Sequence, residues 1–369
     1  MKLPKHIQNL PPYTPIEPFE ILSERVGRKP EEIVKLDANE NPYGMSPRAR
    51  AALAEMEFPH IYPDPESRAL RAALAQFTGV PAKNLLAGSG ADELLDLVTR
   101  LLLEPGDTVI NCPPTFGMYP FDTELNAGRI VDVPRRPDFS LDVDGIRAAV
   151  AEHKPKLIFL TSPNNPDGSM IPQDELEQLL ALPVLVVLDE AYIEFADDVL
   201  GKSLTNITRA GQTENLVVLR TFSKWAGLAG LRVGYGAFPL WLMPTLWKAK
   251  QPYNVTVASS EAAIASLKDT DYLAKIVARL CAERERLMDG LRQIPYLTPY
   301  PTHSNFILCR VRGRDALQLK TDLAEKYGIF IRYFSKPGLK DCIRISVGRP
   351  SDTNLLLDAL SNVERPAIS

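Results

Sequence analysis

The spacing of apolar and polar residues changes near residue 48. Before it, the first 45 residues are rich in proline and run into LDANENPYG, with no sustained period. We read an arm over 1–47. Beyond it, apolar residues recur at helical spacing in SRALRAALAQF (67–77) and ADELLDLVTRLLL (91–103), the second closed by the stop EPGD. Short runs that are almost wholly apolar and often β-branched follow: TVINC (108–112), RIVDVP (129–134), KLIFL (156–160), VLVVLD (184–189) and NLVVLRT (215–221). A strand with two apolar faces needs cover on both. Intervening helices such as DVDGIRAAVAEH (142–153) supply it through right-handed βαβ units, which predicts an α/β fold with a mostly parallel sheet. After a long helical stretch at 257–293 the pattern shifts again. FILCRV (306–311), a helix near 315–327, GIFIR (328–332) and CIRISVG (342–348) predict a smaller α+β unit. The expected division is an arm (1–47) packing with the small domain, a large domain (48–265) and a small C-terminal domain (266–369).

Composition narrows the function more than the fold. The 369 residues are 45% hydrophobic and 24% charged, with a net charge of −4. No basic excess exists to displace the counterions of a nucleic acid, so no nucleic-acid partner is expected. Local arginines can still make an anion site. Cys112, Cys281, Cys309 and Cys342 are scattered, as are His6, His60, His153 and His303. No metal centre or disulfide framework is expected from such spacing. The start, MKLPKHIQNLPPYTP, lacks the apolar core of a signal peptide. No apolar run approaches the roughly 20 residues a membrane helix needs. We therefore expect a soluble protein in the reducing cytoplasm, with no membrane partner.

Four segments at strand ends or helix starts carry the candidate chemistry, where open α/β sheets place their ligands. AGSGADE (87–93) opens a helix, and the N–H groups of Ala91 and Asp92 would face an anion there. SPNNPDG (162–168) follows a strand and presents Asn165, whose amide suits a ring hydroxyl. VLVVLDEAY (184–192) buries Asp189 at a strand end, where a lone carboxylate is costly. A protonated pyridine nitrogen would supply its partner, and Tyr192 would reach the adjacent ring oxygen. TFSKWAGLAGLR (221–232) sets Lys224 among Thr221, Ser223 and Arg232, two hydroxyls and a guanidinium that suit a phosphate. Each segment alone has an ordinary reading: a capped helix start, a turn, a capping aspartate, a surface lysine. Together they supply an amine for an aldehyde, an acid for a ring nitrogen and a phosphate cup. Those are the protein-side needs of pyridoxal 5'-phosphate, with Lys224 as its Schiff-base anchor.

SPNNPDG, DEAY, TFSK and AGLR, in this order, resemble the fold-type-I pyridoxal-phosphate aminotransferases. NLPPY (9–13), LDANENP (36–42), IYPDP (61–65), GSGADE (88–93), CPPTFGMY (112–119) and IRISVG (343–348) extend the resemblance nearly end to end. They point within it to the histidinol-phosphate aminotransferase subfamily. The resemblance implies a fold-type-I transferase in which Lys224, Asp189 and Tyr192 are catalytic. Ala91, Asp92, Asn165, Thr221, Ser223 and Arg232 would hold the cofactor, with Phe116 stacked on its ring. Tyr62 would reach the phosphate of the neighbouring subunit's cofactor, in a homodimer with shared active sites. Arg344, Arg332, Tyr13 and Asn39 would bind substrate. The implied reaction is exchange of an amino group between histidinol phosphate and 2-oxoglutarate, in histidine biosynthesis. An aromatic or broad-range aminotransferase and a threonine-phosphate decarboxylase share the same segments and stay open here. Three residues depart from the usual pattern: Asp167 in the turn, expected to matter little; Phe116, which lacks a hydroxyl; and Trp225, expected to pack under the lysine.

Overall fold

Two sheets organise the chain in a computed structural model, which describes residues 3–10, 17–197 and 200–363. The strands in chain order are β1 (Val34–Leu36), β2 (Leu85–Gly88), β3 (Thr108–Asn111), β4 (Arg129–Asp132), β5 (Leu157–Thr161) and β6 (Leu185–Asp189). They continue as β7 (Leu216–Thr221), β8 (Gly234–Ala237), β9 (Leu297–Pro299), β10 (Phe306–Val311), β11 (Ile329–Tyr333) and β12 (Cys342–Ser346). The larger sheet has the order β2-β8-β7-β6-β5-β3-β4. Its strands β3 to β7 pair in parallel, while β8 runs antiparallel to β2 and β7. Every residue of β5, β6 and β7 is buried. Alternate residues serve opposite faces: Ile158, Leu160, Val186, Leu188 and Val218 join one core, Phe159, Val187, Val217 and Leu219 the other. Each such side chain contributes about 1.5–3 kcal/mol by leaving water, which is why these runs show no polar alternation.

The chain passes from β3 to β4 on one side, then to β5 on the other. Such a reversal is where open α/β sheets place their ligands, beyond the carboxyl ends of the strands. Thr161, Asp189 and Thr221, the last residues of β5, β6 and β7, stand beside it.

β2 and β8 escape the sequence pattern because LLAG and GYGA are short and small. Their glycines answer to contact. A Cβ on Gly234 would lie 2.5 Å from the backbone nitrogen of Ala91, so β8 presses against the start of the helix Gly90–Leu102.

The second sheet has the order β1-β11-β12-β10-β9, and β1 comes from the arm, parallel to β11. The arm is more regular than its sequence suggests. It carries a helix, Phe19–Val26, as well as β1. Leu36 is buried with Ile331 and Ile345, and Leu22 and Ile33 pack on Ala324 and Phe330. Its order comes from these distant partners, so no local period announces it. The stretch 257–293 is two helices, Val257–Leu267 and Thr270–Arg292. Leu273, Ile276 and Leu280 of the second lie in a core of the larger sheet, while Leu287, Met288 and Leu291 lie in that of the smaller.

Candidate active site

Asp189 sits at the end of β6, 5% exposed. Its Oδ2 accepts from the Tyr119 hydroxyl at 2.9 Å and its Oδ1 from the Ala191 N–H at 3.0 Å. Tyr119 is fixed in turn: its hydroxyl meets Thr161 Oγ1 at 2.5 Å and its ring stacks on Phe159. Burial pushes the Asp189 carboxyl up to about 6, against the lowering effect of both donors. Neither donor is a cation. A buried carboxylate so placed fits the N–H of a protonated ring.

The loop after β7 is shaped by its own hydrogen bonds. Thr221 Oγ1 donates to Ser223 Oγ at 2.9 Å, and the Ser223 N–H donates back at 3.1 Å. Trp225 donates its indole N–H to the Thr221 carbonyl and stacks on Phe77 with rings 3° from parallel. It is wholly buried and packs beneath the loop. Lys224 is left half-buried above it; its Nζ donates to the Ala38 carbonyl at 3.1 Å and lies 5.7 Å from the centre of the Tyr192 ring.

Residues 37–39 of the arm join these groups to the second sheet. The Asp37 carbonyl accepts from Arg344 Nη2 at 2.8 Å. Asn39 donates its amide to the Tyr192 hydroxyl at 3.0 Å and accepts from the Ser346 hydroxyl at 2.9 Å. Its backbone is left-handed, with φ 55°, which an asparagine tolerates well. Arg344 is 5% exposed, donates to Asn165 Oδ1 and lies over the rings of Phe306 and Phe334. It is thus no surface ion-pair residue. Arg332 stands directly opposite Arg344 in the antiparallel pairing of β11 and β12. Residues paired in this way project from the same face of a sheet, so the register supplies the direction the sequence left open.

Asn165 is held by its loop. Asp167 is buried; its carboxylate accepts from the Asn164 amide and, at 2.9 Å, from the Ser169 N–H. It therefore does more than occupy a turn, since it braces the segment that presents Asn165. The helix Gly90–Leu102 begins without a side-chain cap from Ser89. Its first-turn N–H groups have no partner within the helix and so suit an oxyanion. Arg232 lies over this turn, pairing with Asp92 at 2.8 Å and close enough that a Cβ on Gly90 would stand 2.6 Å from its Nη2. Ala91 is buried at the same turn.

Phe116 is half-buried and meets Tyr119 edge-on at 5.6 Å. Tyr62 is not brought to this cluster within the chain. It is 80% exposed and stacks on Tyr253 at 4.8 Å. Tyr13 lies outside the described residues. The sequence reading missed the roles of Tyr119 and Thr161. The available signal was that buried Asp189 needed a donor, with a tyrosine already present in CPPTFGMY. Among the described residues, no group of three or more His, Cys, Asp or Glu could hold a metal, and no helix is long and apolar enough to cross a membrane.

Residues 31–360 match the family described as aminotransferase class I and II. The chain is 55% identical to a chloroplastic histidinol-phosphate aminotransferase of Nicotiana tabacum, over 97% of this chain and 85% of that protein. It is 52% identical to a histidinol-phosphate aminotransferase of Roseiflexus castenholzii, over 97% and 96% of the two. Its fold matches the crystal structure of histidinol-phosphate aminotransferase from Sinorhizobium meliloti in complex with pyridoxal-5'-phosphate. That match has a TM-score of 0.89 and 31% identity, over 98% of each chain. These relatives correct one expectation. The proteins of tobacco and Arabidopsis at 54–55% identity are named chloroplastic, so the cytoplasmic assignment does not stand. An unremarkable N-terminus and modest hydropathy bear on membrane insertion and do not select a compartment.

Proposed function

The chain belongs to the class I and II aminotransferases, and from that premise we propose that it moves the amino group of L-histidinol phosphate to 2-oxoglutarate, using pyridoxal phosphate. The products are imidazole acetol phosphate and glutamate, a step of histidine biosynthesis. The observation that carries this reading is the junction at residues 37–39, where the partners of Lys224, Tyr192 and Arg344 follow one another along three residues. The same reading divides the chain at 47/48 and, around 265/266, at the two helices Val257–Leu267 and Thr270–Arg292, the second of which serves both cores.

Bound pyridoxal phosphate supplies an aldehyde that captures amines and a ring that takes up electrons. In this reading Lys224 anchors the aldehyde and Asp189 holds the proton on the ring nitrogen. Asn165 and Tyr192 contact the ring oxygen, and Phe116 stacks on the ring. Ala91, Asp92, Thr221, Ser223 and Arg232 take the phosphate. With the cofactor bound, the free Nζ of Lys224 would serve as the base for the proton on the substrate's α-carbon and would deliver a proton to the carbon that had borne the aldehyde. Arg344 and Arg332, facing the same way, bind the phosphate of one amino donor and the carboxylates of the other, since a planar guanidinium suits both. Asn39, held between the Tyr192 and Ser346 hydroxyls, lines the substrate pocket.

A homodimer completes the reading. Ile61, Tyr62, Tyr253 and Val257 help to line an open hollow of about 370 Å³, where Ile61, Tyr62 and Tyr253 are exposed, and Phe58, just before it in the chain, is exposed too. Exposed aromatic residues so grouped suit a protein interface, from which Tyr62 would reach the partner's cofactor phosphate.

Lys224→Ala is expected to abolish both turnover and the visible absorbance of the bound cofactor; an unchanged spectrum sinks the reading. Assaying histidinol phosphate, phenylalanine and aspartate as donors tests the substrate, with histidinol phosphate expected to be used best. Equal or better use of phenylalanine would make this a broad-range enzyme.

A further inference from the structure

Glu93 belongs to GSGADE, yet it has no part in the contacts assigned to cofactor or substrate. It is a carboxylate one turn into a helix whose start is read as a phosphate site, where a second negative charge would repel the phosphate. Its geometry resolves the paradox. Glu93 Oε2 accepts from the Ser89 N–H at 2.6 Å and from the Asn254 amide, also at 2.6 Å. Asn254 Oδ1 accepts from Lys250 Nζ at 2.5 Å, and Lys250 is itself buried. A chain of hydrogen bonds thus runs from the loop through Glu93 and Asn254 to an ammonium group. Its buried end brings the balancing positive charge. Its other end removes the Ser89 N–H from competition, leaving the N–H groups of Gly90, Ala91 and Asp92 as the donors of the first turn.

We propose that Glu93, Asn254 and Lys250 form a positioning unit that holds the Ser89–Asp92 backbone in the conformation that accepts the cofactor's phosphate. The unit touches no reacting atom. It acts through the loop, and it rests on the reading that this helix start takes the phosphate. The chain's direction is fixed by chemistry: lysine can only donate, the carboxylate can only accept, and the asparagine between them must do both. Position 254 is therefore the one that distinguishes a connected chain from a mere cluster of polar groups.

Asn254→Asp keeps size and shape but sets a carboxylate against Glu93, breaking the central link while leaving Lys250 paired. Glu93→Gln is the conservative partner variant: its amide oxygen can take the place of Oε2 and accept from both the Ser89 N–H and the Asn254 amide, so the chain stays connected while the charge is lost. The readout is the affinity of the cofactor-free protein for pyridoxal phosphate and for pyridoxal, which lacks the phosphate, followed by tryptophan fluorescence. Loss of one hydrogen bond to a charged group predicts about tenfold weaker binding of pyridoxal phosphate in Asn254→Asp. Pyridoxal binding should stay unchanged, and Glu93→Gln, which keeps both hydrogen bonds, should weaken pyridoxal phosphate binding much less than Asn254→Asp does. Equal weakening of both ligands, no weakening in Asn254→Asp, or a loss in Glu93→Gln as large as in Asn254→Asp overturns the proposal. A wild-type protein that binds the two ligands equally would overturn the phosphate reading itself, and the positioning unit with it.

Discussion

Burial moves the Asp189 carboxyl from an ordinary 3.8 to about 6, so its charged form costs the cofactor-free protein about 3 kcal/mol at neutral pH. The sign follows from proton counting. Between these two values the folded protein holds a proton that the unfolded chain has released, so stability falls as pH rises through that window and is flat above it. Asp189→Asn removes the cost. The cofactor-free variant is expected to melt higher than cofactor-free wild type at pH 8, with the gap closing toward pH 4, while turnover is lost. A gap independent of pH would assign the effect to packing instead. Arg344 gives a second test at this scale. Arg344→Ala should raise KM for histidinol phosphate and for glutamate by about tenfold or more, the worth of a charge-assisted bond. A change confined to glutamate would separate the two anion sites. The residues legible in the sequence, Lys224, Asp189 and Asn165, were those whose type and strand-end position were unusual together. Tyr119 was not, because its value lies in reaching Asp189 from the helix after β3, and a linear pattern carries no record of which connections face each other.

At the scale of elements, the strands that could be read were those whose stability shows in their own composition. β5, β6 and β7 are apolar on both faces and announce it. β1, β2, β8 and β9 have three or four residues each; β1, β8 and β9 form because longer neighbours offer them hydrogen bonds, and β2 forms on β8. The loop after β5 shows the same dependence on distant partners. Gly168 adopts φ 83°, its carbonyl accepts from the His303 N–H, and a Cβ there would fall 1.8 Å from Thr302 Oγ1. Gly168→Ala combines left-handed strain with a clash against the Thr302 side chain. It should cost about 2–5 kcal/mol in chemical denaturation, the sum of the two effects. It should also displace Asn165, so that KM rises along with the loss of stability. A variant as stable as wild type would show that the loop yields freely.

For the whole molecule, the exposed group around Ile61 and Tyr62 predicts assembly. Ile61→Asp places a charge in that patch and is expected to shift the sedimenting species to the monomer and lower turnover, with little change in the melting of the fold. An intact dimer would move the interface elsewhere. Composition could not show this patch, because 45% hydrophobic residues is an ordinary figure until their positions are known. The helix Thr270–Arg292 has a consequence of a different kind. Its 23 residues span about 34 Å at 1.5 Å per residue, with one half lodged in each core. Were it to pivot about its end in the larger core, it would act as a lever. A tilt of about 5° would swing its far end by about 3 Å, and the sheet bearing Arg332 and Arg344 would travel with that end. Small adjustments near Leu273 or Ile276 would be magnified into a stroke as wide as a hydrogen bond is long, enough to engage or release an anion without unfolding anything.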